Sequence, residues 1–200
     1  MKARARLASL LLGLSIVAGT APDIRAETFT IDPVHSAVLY RAGHFGVSHS
    51  WGRFSDISGT LSLDDPNAEN NSIDITVKAT SIDSGAAARD EHLRGPDFLN
   101  AKQFPTITFK STQIKAVDPN TLEVTGNLTI HGVTRKVTFA VEGPTAPGKD
   151  PWGNIRVGLS ASTKINRKDF GLTWNAALET GGILVGDEVT ITLDVQFVKA

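Results

Sequence analysis

Residues 189–197 read VTITLDVQF, a run in which every second side chain is apolar and every side chain between is polar. Alternation with a period of two is typical of a β-strand that has one buried and one solvent-facing side. The run contains no proline or glycine, so nothing in it interrupts a strand. A strand of this kind needs partners in a sheet, and the rest of the chain contains candidates for them.

Seven further segments repeat this alternation after residue 26. The segment 51–63 carries a break near Asp56, and turn-forming residues such as those at 118–120 and 131–132 separate the segments. The sequence therefore predicts an all-β domain with about eight strands, at 36–44, 51–63, 73–79, 107–111, 124–130, 137–141, 159–165 and 189–197.

Each of the eight strands has one apolar side, and that side must be shielded from water. A sheet that closes into a barrel buries its apolar side and removes its exposed edges at the same time. Two sheets packed face to face solve the same problem and produce the same alternation. The pattern alone leaves both architectures open.

One segment interrupts the strands and favours a helix. Residues 86–94 read AAARDEHLR, Ser84 is a candidate cap for the start, and Gly95-Pro96 ends the run. A second helical turn is predicted through 97–101. We expect this short helical insertion near residues 86–101 to cover an end or one side of the sheet.

The N-terminus predicts export. Basic residues precede an apolar run at 7–18, and a small-residue stretch ends at Ala26, which is the order of a cleaved signal peptide. A run of this length is too short for a membrane span, which needs about 20 apolar residues. We expect residues 1–26 to be a signal peptide, residues 27–200 to be a single domain, and the mature protein to be periplasmic with no integral membrane span.

The composition excludes a nucleic-acid-binding surface. Cleavage after residue 26 removes four of the 20 basic side chains and one of the 21 acidic ones, which leaves 16 against 20 and a net charge of about −4. The chain has no cysteine. Because an exported domain without disulfides must be stabilised by packing and hydrogen bonds alone, a large closed sheet suits it.

The sequence gives little support for catalysis or for a metal site. The five histidines show no metal-binding spacing, no serine lies in a Gly-x-Ser-x-Gly setting, and no glycine-rich loop precedes a helix. We therefore predict no catalytic residues, no metal and no enzyme activity. An enzyme acting on the polar head group of a ligand through His44, Asp90 and His92 is kept as an alternative, and it requires these side chains to converge.

Two clusters of charge have two interpretations each. The segment 89–92, Arg-Asp-Glu-His, is either an ion-paired face that anchors the helix or a polar rim for a ligand. In the segment 166–169, Arg167 either pairs with Asp169 or reaches an anion.

The inward positions mix large and small side chains, for example Phe109 and Phe139 with Ala42 and Ala161. Small inward residues leave room for a ligand, or they make room for large side chains from the opposite wall. A packed barrel without a ligand therefore stays open as a further alternative.

An ordered set of motifs gives the chain a resemblance to the YceI-like family over nearly all of its mature length. The motifs are DPVHS at 32–36, HFGVS at 44–48 with GRF at 52–54, SIDSG at 81–85, RDEHL at 89–93, FPTITF at 104–109, GNLTIHGVTR at 126–135 and INRKDFG at 165–171.

The resemblance implies an extended lipocalin-like antiparallel barrel that binds a polyisoprenoid or a similar amphiphile, such as a polyprenyl diphosphate or a ubiquinone-type tail. It implies no other cofactor. The inward residues then become the wall of the ligand site: Val38, Tyr40, Ala42, His44, Phe54, Ile75, Val77, Phe109, Leu128, Phe139, Leu159 and Ala161, with Phe170 and Trp174 added.

Candidates for contacts with the polar head group are His44, Arg89 and Arg167, because they are polar and expected near an opening. Trp152, which we expect to be exposed near Pro147-Gly148, indicates a surface for a partner such as a second copy in a homodimer.

Overall fold

A computed structural model describes residues 26–63, 70–179 and 181–200, so the predicted signal peptide lies outside the described residues apart from Ala26. The described residues form one antiparallel sheet. Its strands are β1 Glu27–Ile31, β2 Ala37–His44, β3 Ser48–Phe54, β4 Ile57–Leu63, β5 Ser72–Lys78, β6 Ile82–Asp83, β7 Thr106–Asp118, β8 Thr121–Ile130, β9 Val133–Glu142, β10 Gly148–Lys149, β11 Ile155–Asn166 and β12 Val185–Lys199.

The sheet closes on itself. Around the ring β12 is followed by β1, β4, β5, β7, β8, β9 and β11, and β11 pairs again with β12 from Arg156 to Asn166. This closure rules out the sandwich and confirms the all-β, eight-stranded antiparallel barrel. Every long strand is thereby paired on both sides for part of its length, which leaves little free edge.

Two strands, β1 and β2, pair one after the other with the same edge of β12. Phe29 to Ile31 of β1 pair with its C-terminal end, and Ala37 to His44 of β2 pair with the remainder. β4 and β3 continue this arrangement, since β4 pairs with β1 and β3 pairs with β2. The predicted break near Asp56 is therefore the point where one long strand divides into two.

Two strand predictions need correction. β1 was not predicted, and it forms a separate partner of β12 and β4. β7 is longer than the predicted 107–111, and a register shift between Ser111 and Gln113 changes which residues face inward. The inward side chain after this bulge is Ile114, which is buried.

One end of the barrel is filled with side chains. Phe29, Leu61, Val157, Val195 and Phe197 are almost fully buried, and the register brings Phe29 opposite Leu61 and Val157 opposite Phe197. Burial of each such side chain contributes about 1.5–3 kcal/mol to stability. These residues form a packed core that closes this end.

A short helix, α1 Ala87–Arg94, confirms the predicted helical insertion and ends at Gly95 as expected. Ser84 does not cap it. Instead, the Ser84 backbone N–H and hydroxyl both donate to Asp90 Oδ1, at 2.8 and 2.5 Å. Residues 97–101 form hydrogen-bonded turns rather than a second helix, because the asparagine at 100 has a positive φ of 44°.

An ion-pair cluster joins the N-terminal segment to the strand β11 on the outside of the barrel. Arg156 donates from Nη1 to Asp32 at 2.5 Å and from Nε to Asp150 at 2.8 Å. Both carboxylates are almost inaccessible to solvent, and the hydrogen bonds from Arg156 hold their pKa values well below the ordinary 3.8. The cluster thus stabilises the folded state while both acids are ionised.

Acid should weaken the fold through this cluster. Because the folded pKa values are lowered, the stabilisation is complete above pH of about 4 and is lost as the pH falls towards those values. Arg156→Gln should therefore lower the free energy of unfolding at neutral pH and flatten its dependence on pH below about 4. Denaturant unfolding measured across this pH range would check the change.

The matched control is Arg53→Gln, because the pair between Arg53 and Asp83 is solvent-exposed and its distance is 3.5 Å. This variant should keep the native pH dependence. An identical pH dependence in native protein and Arg156→Gln would contradict the assigned role of the cluster.

Candidate ligand-binding cavity

The half of the barrel opposite the packed core is hollow. It encloses a cavity of about 490 Å³, and none of Phe29, Leu61 or Phe197 contributes to its wall. Cavities that hold small ligands commonly measure about 300–1,000 Å³. The interior is therefore divided into a filled end and an empty end, and the alternative of a fully packed barrel is wrong.

Inward side chains of the strands form most of the wall. Alternation along each strand places them there, since one side of every strand faces the barrel axis. The cavity wall includes all but one of the predicted ligand-site residues: Val38, Tyr40, Ala42, His44, Phe54, Ile75, Val77, Phe109, Leu128, Phe139, Leu159, Ala161 and Trp174.

Phe170 is the exception. It lies in the 3₁₀ turn Arg167–Phe170 that follows β11, and it is buried in the core without reaching the cavity. The strand ends at Asn166, and the turn that follows directs Phe170 into the core rather than into the cavity.

The helical insertion and the segment 172–185 add wall residues beyond the predicted Arg89 and Trp174. Ala88, His92 and Leu93 line the cavity together with Arg89, and the four recur at the spacing of one helix face. That periodicity could have identified them. Leu172, Leu184 and Val185 gave no such signal, because they lie in irregular backbone or at the start of a strand.

Some small inward residues make room for neighbouring large side chains, and others leave space in the cavity, so both interpretations of the sequence apply. A Cβ at Gly126 would lie 2.5 Å from Cζ of Phe109, so this glycine makes room for a neighbouring ring. The rings of Phe109 and Phe139 pack edge to face with centroids 5.0 Å apart. Ala42 and Ala161 border the cavity and leave space that larger side chains would fill.

Tyr40 brings a polar atom to the wall. Its ring lies over Gly52, where a Cβ would be 2.4 Å from the Tyr40 ring. The hydroxyl is buried without a hydrogen-bond partner, and burial raises the pKa of this phenol.

Three aromatic rings join the helical insertion to the segment 172–185 over the hollow end. The rings of His92 and Trp174 are 4.8 Å apart, those of His92 and Phe98 are 5.0 Å apart, and those of Phe98 and Trp174 are 5.1 Å apart. His92 Nε2 is also 2.9 Å from Asp97 Oδ2. This cluster forms part of the cover at the hollow end.

The proposed head-group residues have different environments. His44 lines the cavity and packs edge to face on Phe45, with centroids 4.5 Å apart. Arg89 also lines it, and its Nε and Nη2 donate to the hydroxyl and carbonyl of Ser84. Both side chains therefore lie at the hollow end, where a polar group of a ligand would be placed.

Arg167 lines the cavity, but its guanidinium makes its hydrogen bonds inside the protein. The guanidinium is buried, and it donates to the backbone carbonyls of Leu172, Trp174, Val185 and Gly186. Its ion-pair partner is Asp187 at 3.6 Å, rather than the predicted Asp169. Because its donors are used internally, Arg167 fixes the segment 172–185 at the end of the barrel.

The described residues do not form the acid–base site that the enzyme alternative requires. Asp90 is hydrogen-bonded to Ser84 and His92 to Asp97, and no hydrogen bond joins any two of His44, Asp90 and His92. In the described ranges, no three histidine, aspartate or glutamate side chains are close enough to hold a metal ion. No helix in those ranges is long and apolar enough to cross a membrane.

Residues 29–197 match the sequence profile of the YceI-like domain, which covers the whole barrel. The chain belongs to the YceI-like family. The fold and the order of motifs agree with this assignment, so the resemblance seen in the sequence is confirmed.

UPF0312 proteins of two bacteria are similar to the chain over most of their length. A UPF0312 protein of Azotobacter vinelandii is 39% identical over 168 residues, which is 83% of this chain and 86% of that protein. A UPF0312 protein of Shewanella putrefaciens is 35% identical over 167 residues, 84% of this chain and 87% of that protein.

Solved structures share the YceI-like barrel. BcnA of Burkholderia cenocepacia superimposes with a TM-score of 0.71 at 26% identity, over 83% of this chain and 98% of BcnA. A YceI protein of Campylobacter jejuni gives 0.67 at 28% identity, over 79% and 90%. A polyisoprenoid-binding domain from Saccharophagus degradans gives 0.63 at 16% identity, over 86% and 98%, and shows the same fold.

The structural role of Arg167 can be tested by removing its donors. Arg167→Met should leave buried carbonyls without partners and lower the free energy of unfolding by about 3 kcal/mol. Lys168→Met is the matched control, because Lys168 is exposed and pairs with the same Asp187 at 2.8 Å. That variant should cost less than about 1 kcal/mol. Equal stability of the two variants in urea denaturation would contradict the assignment.

Proposed function

We propose that this protein is a periplasmic carrier that holds a polyisoprenoid or a similar amphiphilic lipid inside the barrel. Polyprenyl diphosphates and ubiquinone-type molecules are the two ligand classes that this proposal names. The observation that carries it is the enclosed cavity, whose wall is almost entirely aliphatic and aromatic over the strands.

The shape of the interior suits a ligand with a long apolar tail. The cavity is closed by the packed core at one end, and its wall includes the polar side chains His44, Arg89, His92 and Arg167. We place the tail among the strand side chains and the polar head beside His44 and Arg89.

The free energy available from burial is sufficient for such a ligand. Burying 20 isoprenoid carbons at about 0.8 kcal/mol for each CH₂ gives a gross gain of about 16 kcal/mol. Association and ordering cost roughly 4–15 kcal/mol. The balance favours binding without an ion pair, so affinity would come from the apolar wall and selectivity from the residues at the hollow end.

Family membership supports binding rather than catalysis. The structural neighbour from Saccharophagus degradans is described as a polyisoprenoid-binding domain, and this chain shares its fold. We therefore propose a non-enzymatic role. The N-terminal sequence supports export and a periplasmic location, and a homodimer through the exposed Trp152 stays a prediction.

A variant that fills the cavity tests the proposal. Ala161→Phe puts a ring into the space beside the wall residue Ala161, so it should reduce the bound lipid at least about tenfold, the equivalent of 1.4 kcal/mol in binding free energy. The measurement is mass spectrometry of organic extracts from protein purified without detergent, together with native mass spectrometry of the intact protein.

The control is Ser162→Phe, which adds the same ring at the next residue of β11, where the side chain is exposed. This variant should carry as much lipid as the native protein. A native protein that carries no lipid and takes up no added polyprenyl lipid would sink the carrier proposal.

A further inference from the structure

The turn between β2 and β3 exposes apolar side chains beside the cavity. Val47 and Phe45 are 85% and 48% exposed, and Trp51 of β3 and Ile183 of the neighbouring segment are also exposed. Several exposed apolar side chains in adjacent segments are unusual on a protein that functions alone in water. We call Phe45, Val47, Trp51 and Ile183 the mouth patch.

The mouth patch is continuous with the cavity wall. His44, next to Phe45 in the chain, lines the cavity, and so does Leu184, next to Ile183. The Phe45 backbone N–H donates to the Leu184 carbonyl at 2.9 Å, which holds the two segments together. An apolar molecule leaving the cavity beside His44 and Leu184 would therefore meet the mouth patch.

The backbone at Phe45 is one that the side chain does not favour. Residues 44–47 form a tight hairpin turn with φ of 56° at Phe45 and 70° at Gly46. Asparagine followed by glycine is the preferred pair in this kind of turn, and bulky residues rarely adopt positive φ. A half-exposed phenylalanine with a positive φ is unusual, which indicates that its exposure serves contact with something else.

The charges around the mouth patch favour a negatively charged partner surface. The hairpin residues 41–52 contain Arg41 and two histidines and no aspartate or glutamate, although residues 27–200 carry a net negative charge. The Arg41 guanidinium lies 5.3 Å from the centre of the Trp51 ring. Tryptophan, phenylalanine and arginine together are typical of surfaces that contact the interface of a bilayer.

We propose that the mouth patch docks on the surface of an anionic lipid bilayer. This inference rests on the proposed function, since it explains how a lipid passes between membrane and cavity. A long apolar tail that crossed water would lose the hydrophobic free energy that holds it in either place. Contact between bilayer and mouth patch removes that barrier to transfer.

Flotation of the protein with vesicles of phosphatidylethanolamine and phosphatidylglycerol tests docking without any isoprenoid present. The double variant Phe45→Asn with Val47→Ser removes two apolar contacts, and asparagine suits the positive φ at position 45, so the fold should be preserved. We expect native protein to float, the variant to bind at least about tenfold more weakly, and vesicles of phosphatidylcholine alone to bind native protein less.

The matched control is Val34→Ser with Trp152→Gln. It removes two apolar side chains outside the mouth patch, which are 83% and 82% exposed. Two contacts along β12 show how far apart these sites are. Near Val34, the backbone N–H of Asp32 donates to the Gln196 carbonyl, whereas near the mouth patch Val185 pairs with His44. Val34 therefore lies about 35 Å from the mouth patch along β12, at roughly 3.3 Å for each residue. This control should float like native protein.

Three outcomes would overturn docking. The first is that the native protein fails to float with the vesicles, the second that the Phe45 variant floats as well as the native protein, and the third that the Val34 control loses as much vesicle binding as the Phe45 variant. Docking would also be overturned if the native protein forms a dimer that the Phe45 variant does not form and neither protein binds vesicles. The mouth patch would then be a contact between two copies of the chain.

Transfer kinetics separate this inference from the proposed function. Uptake of a polyprenyl lipid from vesicles should be about tenfold slower in the Phe45 variant, while the final occupancy of the cavity stays unchanged. Flotation of native protein that never takes up lipid would refute the carrier proposal and leave docking supported. Full occupancy with equal uptake rates in the Phe45 variant and the native protein would overturn docking and leave the carrier proposal supported.

Discussion

The antiparallel pairing of β11 with β12 is the interaction on which the rest of the structure depends. It joins the last strand of the chain to the other end of the sheet, and so converts an open sheet into a barrel. Without it, both strands would expose a row of unpaired backbone groups. Closure also creates the enclosed interior, because only a continuous wall can exclude water from a cavity.

The closed barrel is then divided along its axis. At one end large side chains meet from β1, β4, β11 and β12 and fill the interior, while at the other end alanines and aliphatic side chains leave it open. The packed end supplies stability in a chain without disulfides. The hollow end is the one that the irregular segments cover.

Those irregular segments are held by polar contacts rather than by strand pairing. Arg167 binds four backbone carbonyls of the segment 172–186, and Asp90 and Arg94 fix the helical insertion through Ser84, Thr80 and Ile82. Polar groups thus shape the opening of an apolar cavity. A ligand with an apolar tail and a polar head matches this division, and the mouth patch beside it suits transfer from a lipid surface.

The sequence by itself determined most of the strands, the helical insertion and most of the wall, because alternation along a strand fixes which side chains face inward. Phe170, which the family resemblance added to the wall, lies instead in the core, because β11 ends in a 3₁₀ turn there. Only the tertiary structure decided between barrel and sandwich, the division into packed and hollow ends, and the internal role of Arg167. Each of these depends on contacts between residues distant in the chain, and local periodicity carries no information about such contacts.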